Sequence, residues 1–91
     1  MMKLVQQIAL KERNYNVETI IERAAYIMDI SKESAKEHSL KIKGTDAMYF
    51  KKPVRGGVQV IVDKKGGVLL APAIVKQKKM IEDYKEGKRS A

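Results

Sequence analysis

In the first half of the chain, apolar residues recur at intervals of three and four, which places them on one face of an α-helix. A first helix is predicted within residues 3–12. For a second helix Asn16 is the expected N-cap, and the apolar stripe is the clearest in the chain: Val17, Ile20, Ile21, Ala24, Ile27 and Met28. A third helix is predicted to begin after Ser31, another capping residue, and to end near Gly44.

In the second half of the chain the apolar period shortens to two, which is typical of β-strands. Three alternating residues should share one face of a central strand: Val58, Val60 and Val62. Short apolar segments at 47–50 and 68–71 predict its two neighbours. The glycines of the intervening segment 64–67 favour a tight hairpin turn, and a last helix is predicted over residues 74–86.

This order of elements predicts an α+β fold with three N-terminal helices, a short three-stranded antiparallel sheet with a Gly-rich hairpin, and a C-terminal helix. The 91 residues suit one domain, and we expect a compact domain over residues 1–87 with a flexible tail over residues 88–91. Because we find neither a long apolar run nor a signal-peptide pattern, we expect a cytoplasmic protein with no membrane partner.

The composition limits the chemistry of the protein. The chain has no Cys, which excludes a disulfide scaffold, a Cys-based zinc site and a thiol nucleophile. His38 is the single imidazole, and its neighbour Glu37 would not face it on a helix. We therefore expect a non-enzymatic protein with no catalytic residue, no metal site and no cofactor.

The charge is strongly positive and unevenly distributed. The formal net charge is +8, and residues 46–91 carry eleven basic side chains against five acidic ones. Lysine and arginine side chains bind polyanions by releasing condensed counterions. The candidate anion-binding residues flank the hairpin and follow it: Lys51, Lys52, Arg55, Lys64, Lys65, Lys78 and Lys79. Nucleic acid is the expected partner, an acidic protein is an alternative, and the simplest interpretation is that the lysines only solubilise the fold.

Arg55 has a further feature that favours phosphate binding. It precedes Gly56 and Gly57, whose missing Cβ atoms would let a phosphate approach the backbone. The sequence therefore predicts a phosphate clamp at this position.

The segment 24–42 resembles a helix-turn-helix, with the turn at Asp29 and the second helix beginning at Ser31. Together with a following basic hairpin it resembles a winged helix. This resemblance implies DNA binding in which Lys32 and Lys36 of the second helix contact the duplex. The competing interpretation is two ordinary helices joined by a capped turn.

Residues 49–90 resemble the C-terminal part of small bacterial proteins, some of which are immunity proteins of polymorphic-toxin systems. The motifs that carry the resemblance are RGG at 55–57, VIVDKKG at 60–66 and GKRS at 87–90. It implies a protein-binding inhibitor of bacterial or phage origin. A third hypothesis is a homodimeric accessory domain that pairs through a sheet edge or a sheet face. On the face opposite the valines, Ile61 is either covered by a helix or available to a second subunit.

Overall fold

The computed structural model describes residues 16–90, so the helix predicted within residues 3–12 lies outside the described residues. Seven elements follow one another: α1 (Val17–Met28), α2 (Lys32–Glu37), β1 (Ser39–Lys41), β2 (Met48–Lys51), β3 (Gln59–Val62), β4 (Val68–Ala71) and α3 (Gln77–Lys85). The strands form one antiparallel sheet in the order β1-β2-β3-β4. The α+β class is confirmed. Between residues 16 and 90, no helix is long and apolar enough to cross a membrane.

The sheet has four strands, so the prediction of three is wrong. The additional strand is β1, which lies in the segment predicted to continue the third helix as far as Gly44. That helix, α2, is six residues long and buries only Ala35 on its apolar side. Beyond it, Leu40 and Ile42 are two positions apart, and they pair with β2 and with the Ala47 backbone instead of extending a helix.

Both faces of the sheet are covered by helices. On one face, α1 and α2 pack against a cluster that includes Phe50, Val60 and Val62, with Val58 at its margin, so the predicted shared face of the valines is confirmed. On the other face, α3 covers Ile61 with Met80 and Tyr84. Because Ile61 is completely buried within this cluster, it offers no surface to a second subunit.

The antiparallel register defines two ends of the sheet. Lys51, Gln59 and Ala71 are paired at one end, which we call the loop end and which comprises segments 51–58 and 71–79. Met48, Val62 and Val68 are paired at the other end. We call it the hairpin end, and it comprises segments 42–47 and 63–67.

The residues that follow α3 are attached to the sheet. The Ser90 amide donates a hydrogen bond to Val68 O at 2.7 Å, and Ser90 Oγ accepts one from the Leu70 amide at 2.9 Å. The guanidinium of Arg89 lies over the Tyr84 ring, 3.8 Å from its centre. Residues 88–90 thus cover part of the β4 edge, where the sequence predicts a flexible tail.

Candidate anion-binding surface

Loop 52–58 at the loop end is closed on itself by backbone hydrogen bonds. The Lys52 amide donates to Val58 O at 3.0 Å, and the Gly57 amide donates to Val54 O at 3.0 Å. Gly56 has φ +73°, the positive value that the third residue of a type II turn requires. Arg55 therefore occupies the second position of this turn and is exposed at its tip.

The two glycines after Arg55 have different roles. A Cβ on Gly57 would lie 2.9 Å from both the carbonyl oxygen and the Cβ of Lys52. Gly57 is buried, and its lack of a side chain allows the loop to close rather than a phosphate to approach. Gly56 has no neighbouring atom within 4 Å of an added Cβ, so the space beside Arg55 is open at that residue alone.

The turn 72–75 is held by the buried side-chain amide of Gln59. Gln59 is 2% exposed, and its Nε2 donates hydrogen bonds to Pro72 O at 2.9 Å and Val75 O at 2.7 Å. Its Oε1 accepts a hydrogen bond from the Tyr49 hydroxyl. Burial raises the pKa of Tyr49, so this hydroxyl keeps its proton and remains a donor.

The first turn of α3 adds basic residues to the loop end. Lys76 is the N-cap without a side-chain capping bond, and the first turn contains no acidic residue. Lys79 forms an ion pair with Asp83 at 2.9 Å, which raises the pKa of Lys79 and lowers that of Asp83. Within the described part of the chain, five cations of the loop end form no salt bridge: Lys51, Lys52, Arg55, Lys76 and Lys78.

The structure divides the predicted anion-binding residues between the two ends of the sheet. Five of them lie at the loop end: Lys51, Lys52, Arg55, Lys78 and Lys79. Lys64 and Lys65 occupy the β3–β4 turn at the hairpin end. The seven residues therefore do not form one group, and Lys76 joins the set at the loop end.

The hairpin end is organised around a buried carboxylate. Asp63 is 8% exposed, and its Oδ1 accepts hydrogen bonds from the Lys65 amide at 3.0 Å and the Gly67 amide at 2.6 Å. Its Oδ2 accepts one from the Tyr84 hydroxyl at 2.8 Å and lies 3.5 Å from Arg89 Nε. This cluster joins the hairpin turn to α3 and to the last residues of the chain, so its role is structural.

Tyr84 makes the stability of this cluster depend on pH. Burial, together with the hydrogen bond to Asp63, raises the pKa of Tyr84 to about 12. In an unfolded chain this pKa is about 10, so the folded state holds the proton more tightly. The resulting stability is complete below about pH 10 and is lost as the pH rises to about 12. Between about pH 9 and about pH 12, thermal melts should show a steeper fall in Tm for the wild type than for Tyr84→Phe. Parallel pH profiles would contradict this assignment.

The second helix of the predicted helix-turn-helix is short, and one of its two lysines is paired. The helix after the turn, α2, is six residues long. Lys32 forms ion pairs with Glu18 and Glu22 of α1, and these contacts raise the pKa of Lys32 and lower that of Glu18. Lys32 is therefore paired with α1, whereas Lys36 is exposed and forms no salt bridge among residues 16–90. The contact of these lysines with a DNA duplex stays a prediction.

Comparison of the chain with protein-family models, with curated proteins and with solved structures gives no match.

Proposed function

We propose that the protein is a small non-enzymatic binding protein that contacts nucleic acid through the loop end of its sheet. The main support for the proposal is that the loop end carries only positive charge. Segments 51–58 and 71–79 contain six basic residues and no acidic one, and five of the six cations have no salt-bridge partner among residues 16–90.

The hairpin end is less strongly charged. Its segments 42–47 and 63–67 contain three basic residues, Lys43, Lys64 and Lys65, and two acidic residues, Asp46 and Asp63. Acidic side chains near basic ones reduce the positive potential that a polyanion would meet. The loop end is therefore the favoured contact surface.

The loop end is also preorganised for binding. Its β2–β3 loop is closed by backbone hydrogen bonds around Gly57, and its second turn is held by Gln59. Little backbone entropy is lost when rigid segments bind a ligand, so more of the interaction energy contributes to affinity.

Salt dependence tests the proposal. Each phosphate contacted by a cation lowers the slope of log K against log salt by about 0.7 for a single strand, so five cations predict a slope of about −3.5. Fluorescence anisotropy with a labelled DNA or RNA strand, repeated from about 50 mM to about 200 mM salt, measures this slope. Absence of binding to any DNA or RNA at the lowest salt would contradict the proposal.

A second candidate is an inhibitor that docks on an acidic protein. It is favoured by two apolar side chains exposed at the loop end, because protein interfaces combine an apolar centre with a charged rim. This candidate predicts a stoichiometric complex that survives nuclease treatment and tolerates salt. Affinity capture from a nuclease-treated lysate, combined with the anisotropy titration, distinguishes the two.

A further inference from the structure

Two apolar side chains are exposed among the cations of the loop end. Ile74 is 89% exposed and Val54 is 53% exposed. Both belong to segments that the fold holds rigidly, since Gln59 anchors the carbonyl groups of the turn that carries Ile74, and Val54 accepts the hydrogen bond that closes its loop. The domain core uses neither side chain, so their exposure gives the fold no stability.

A shallow depression connects these two segments. It has a volume of about 390 Å³ and is lined by Gly56, Val58, Leu70, Ala71 and Pro72. Gly56 belongs to the loop of Val54, and Pro72 begins the turn of Ile74. None of the lining residues carries a polar side-chain atom. The β2–β3 loop that contributes Gly56 and Val58 to the depression also carries Lys52 and Arg55.

The form of nucleic acid that complements such a surface is a single strand. A duplex presents phosphates and sugars to a protein that remains outside its grooves, while its bases are stacked inside. A single strand presents the same phosphates together with unstacked bases, whose faces can pack against aromatic or apolar side chains. Resting on the function proposed above, we infer that the loop end binds single-stranded nucleic acid, with bases packed against the exposed side chains of Val54 and Ile74 and against the neighbouring depression.

The lining of the depression also indicates that the surface does not distinguish one base sequence from another. Sequence is read through hydrogen bonds to base edges, and the lining residues offer no side-chain donor or acceptor to make them. The phosphates are left to the unpaired cations of the loop end, Lys51, Lys52 and Lys76 among them. We therefore expect binding of single strands with little dependence on base sequence.

Three labelled probes of equal length and from one chemical series test the inference by anisotropy: a thymidine strand, an abasic strand with the same phosphates, and a duplex. Packing of a base on these aliphatic side chains removes apolar surface from water. The thymidine strand should therefore bind at least about fivefold more tightly than the abasic strand. It should also bind more tightly than the duplex at the same salt concentration.

A matched pair of variants localises the effect. Val54→Ser with Ile74→Ser should bring the affinity for the thymidine strand close to that for the abasic strand, and leave abasic binding unchanged. The control, Val17→Ser with Leu40→Ser, alters two exposed aliphatic residues outside the loop end and should leave both affinities unchanged. The comparison of probes on the wild-type protein tests the inference even where a variant fails to fold.

The outcomes separate this inference from the function on which it rests. Equal binding of thymidine and abasic strands, or preference for the duplex, would overturn the inference and leave nucleic-acid binding in place. Failure of all probes to bind at low salt would overturn the proposed function and the inference together. Capture of an acidic protein with no affinity for any probe would assign the same apolar surface to a protein partner.

Discussion

Asp63→Ala should lower the free energy of unfolding by about 3 kcal/mol. The carboxylate accepts hydrogen bonds from two backbone amides and from the Tyr84 hydroxyl, and it is paired with Arg89. Alanine would leave the Tyr84 hydroxyl buried without a partner and would remove the acceptor of two part-buried amides. A buried donor without a partner costs about 1–3 kcal/mol. The loss should also loosen the last residues, because Arg89 holds them against α3.

Urea denaturation followed by circular dichroism measures this change. Asp46→Ala is the matched control, because Asp46 is an exposed carboxylate at the same end of the sheet and should change the stability by less than about 0.5 kcal/mol. A loss below about 1 kcal/mol for Asp63→Ala would show that the hydrogen bonds of this cluster contribute little.

Local periodicity accounts for the parts of the fold that could be predicted. The apolar stripe after Asn16 identifies α1 with its cap, since Asn16 Oδ1 accepts from the Thr19 amide at 2.7 Å. The alternating valines identify β3, and Gly66 with φ +88° identifies the hairpin turn. Each of these signals is contained within a few neighbouring residues.

The strand β1 could not be predicted because its signal is short and ambiguous. Apolar residues are few after Ala35, so the segment shows neither a clear helical period nor a clear strand period. Only three of its residues enter the sheet. The pairing of Leu40 with Tyr49 decides the outcome, and this is a contact between elements that the local pattern does not contain.

The buried polar residues at the two ends of the sheet, Gln59 and Asp63, could not be predicted for the same reason. Gln59 in β3 and Asp63 directly after it lie on the face opposite the valines, and α3 covers that face. Gln59 bonds to carbonyl groups 13 and 16 residues away, and Asp63 bonds to a hydroxyl 21 residues away. A buried polar residue in a strand becomes interpretable only when these distant partners are in place.

The candidate surface could be predicted in its residues but not in its arrangement. The sequence identifies a basic second half, and the strand register then places Lys51 and Lys64 at opposite ends of the sheet. Only the folded chain brings segments 51–58 and 71–79 together, since they are separated by the β3–β4 hairpin. Because both segments lack acidic residues, their proximity creates a surface with positive charge only.

Removal of charge at the two ends should have unequal effects on nucleic-acid binding. Lys51→Gln with Arg55→Gln removes two phosphate contacts, each worth about 0.7 in the salt slope. The slope should therefore become less steep by about 1.4, which corresponds to roughly twentyfold weaker binding at about 0.1 M salt. Both substituted side chains are exposed, so Tm should stay within a few degrees of the wild type.

Lys64→Gln with Lys65→Gln is the charge-matched control, because it lowers the net charge from +8 by the same amount but acts at the hairpin end. A dependence on total charge alone would weaken both variants equally, whereas the proposed surface predicts a loss confined to the first variant.

The salt slope of single-strand binding, measured by anisotropy on these two variants and the wild type, therefore tests directly where the protein contacts its partner. We predict a slope that is less steep by about 1.4 for the loop-end variant and unchanged for the hairpin-end variant. Equal slopes for the two variants, or a greater loss at the hairpin end, would contradict the proposed surface.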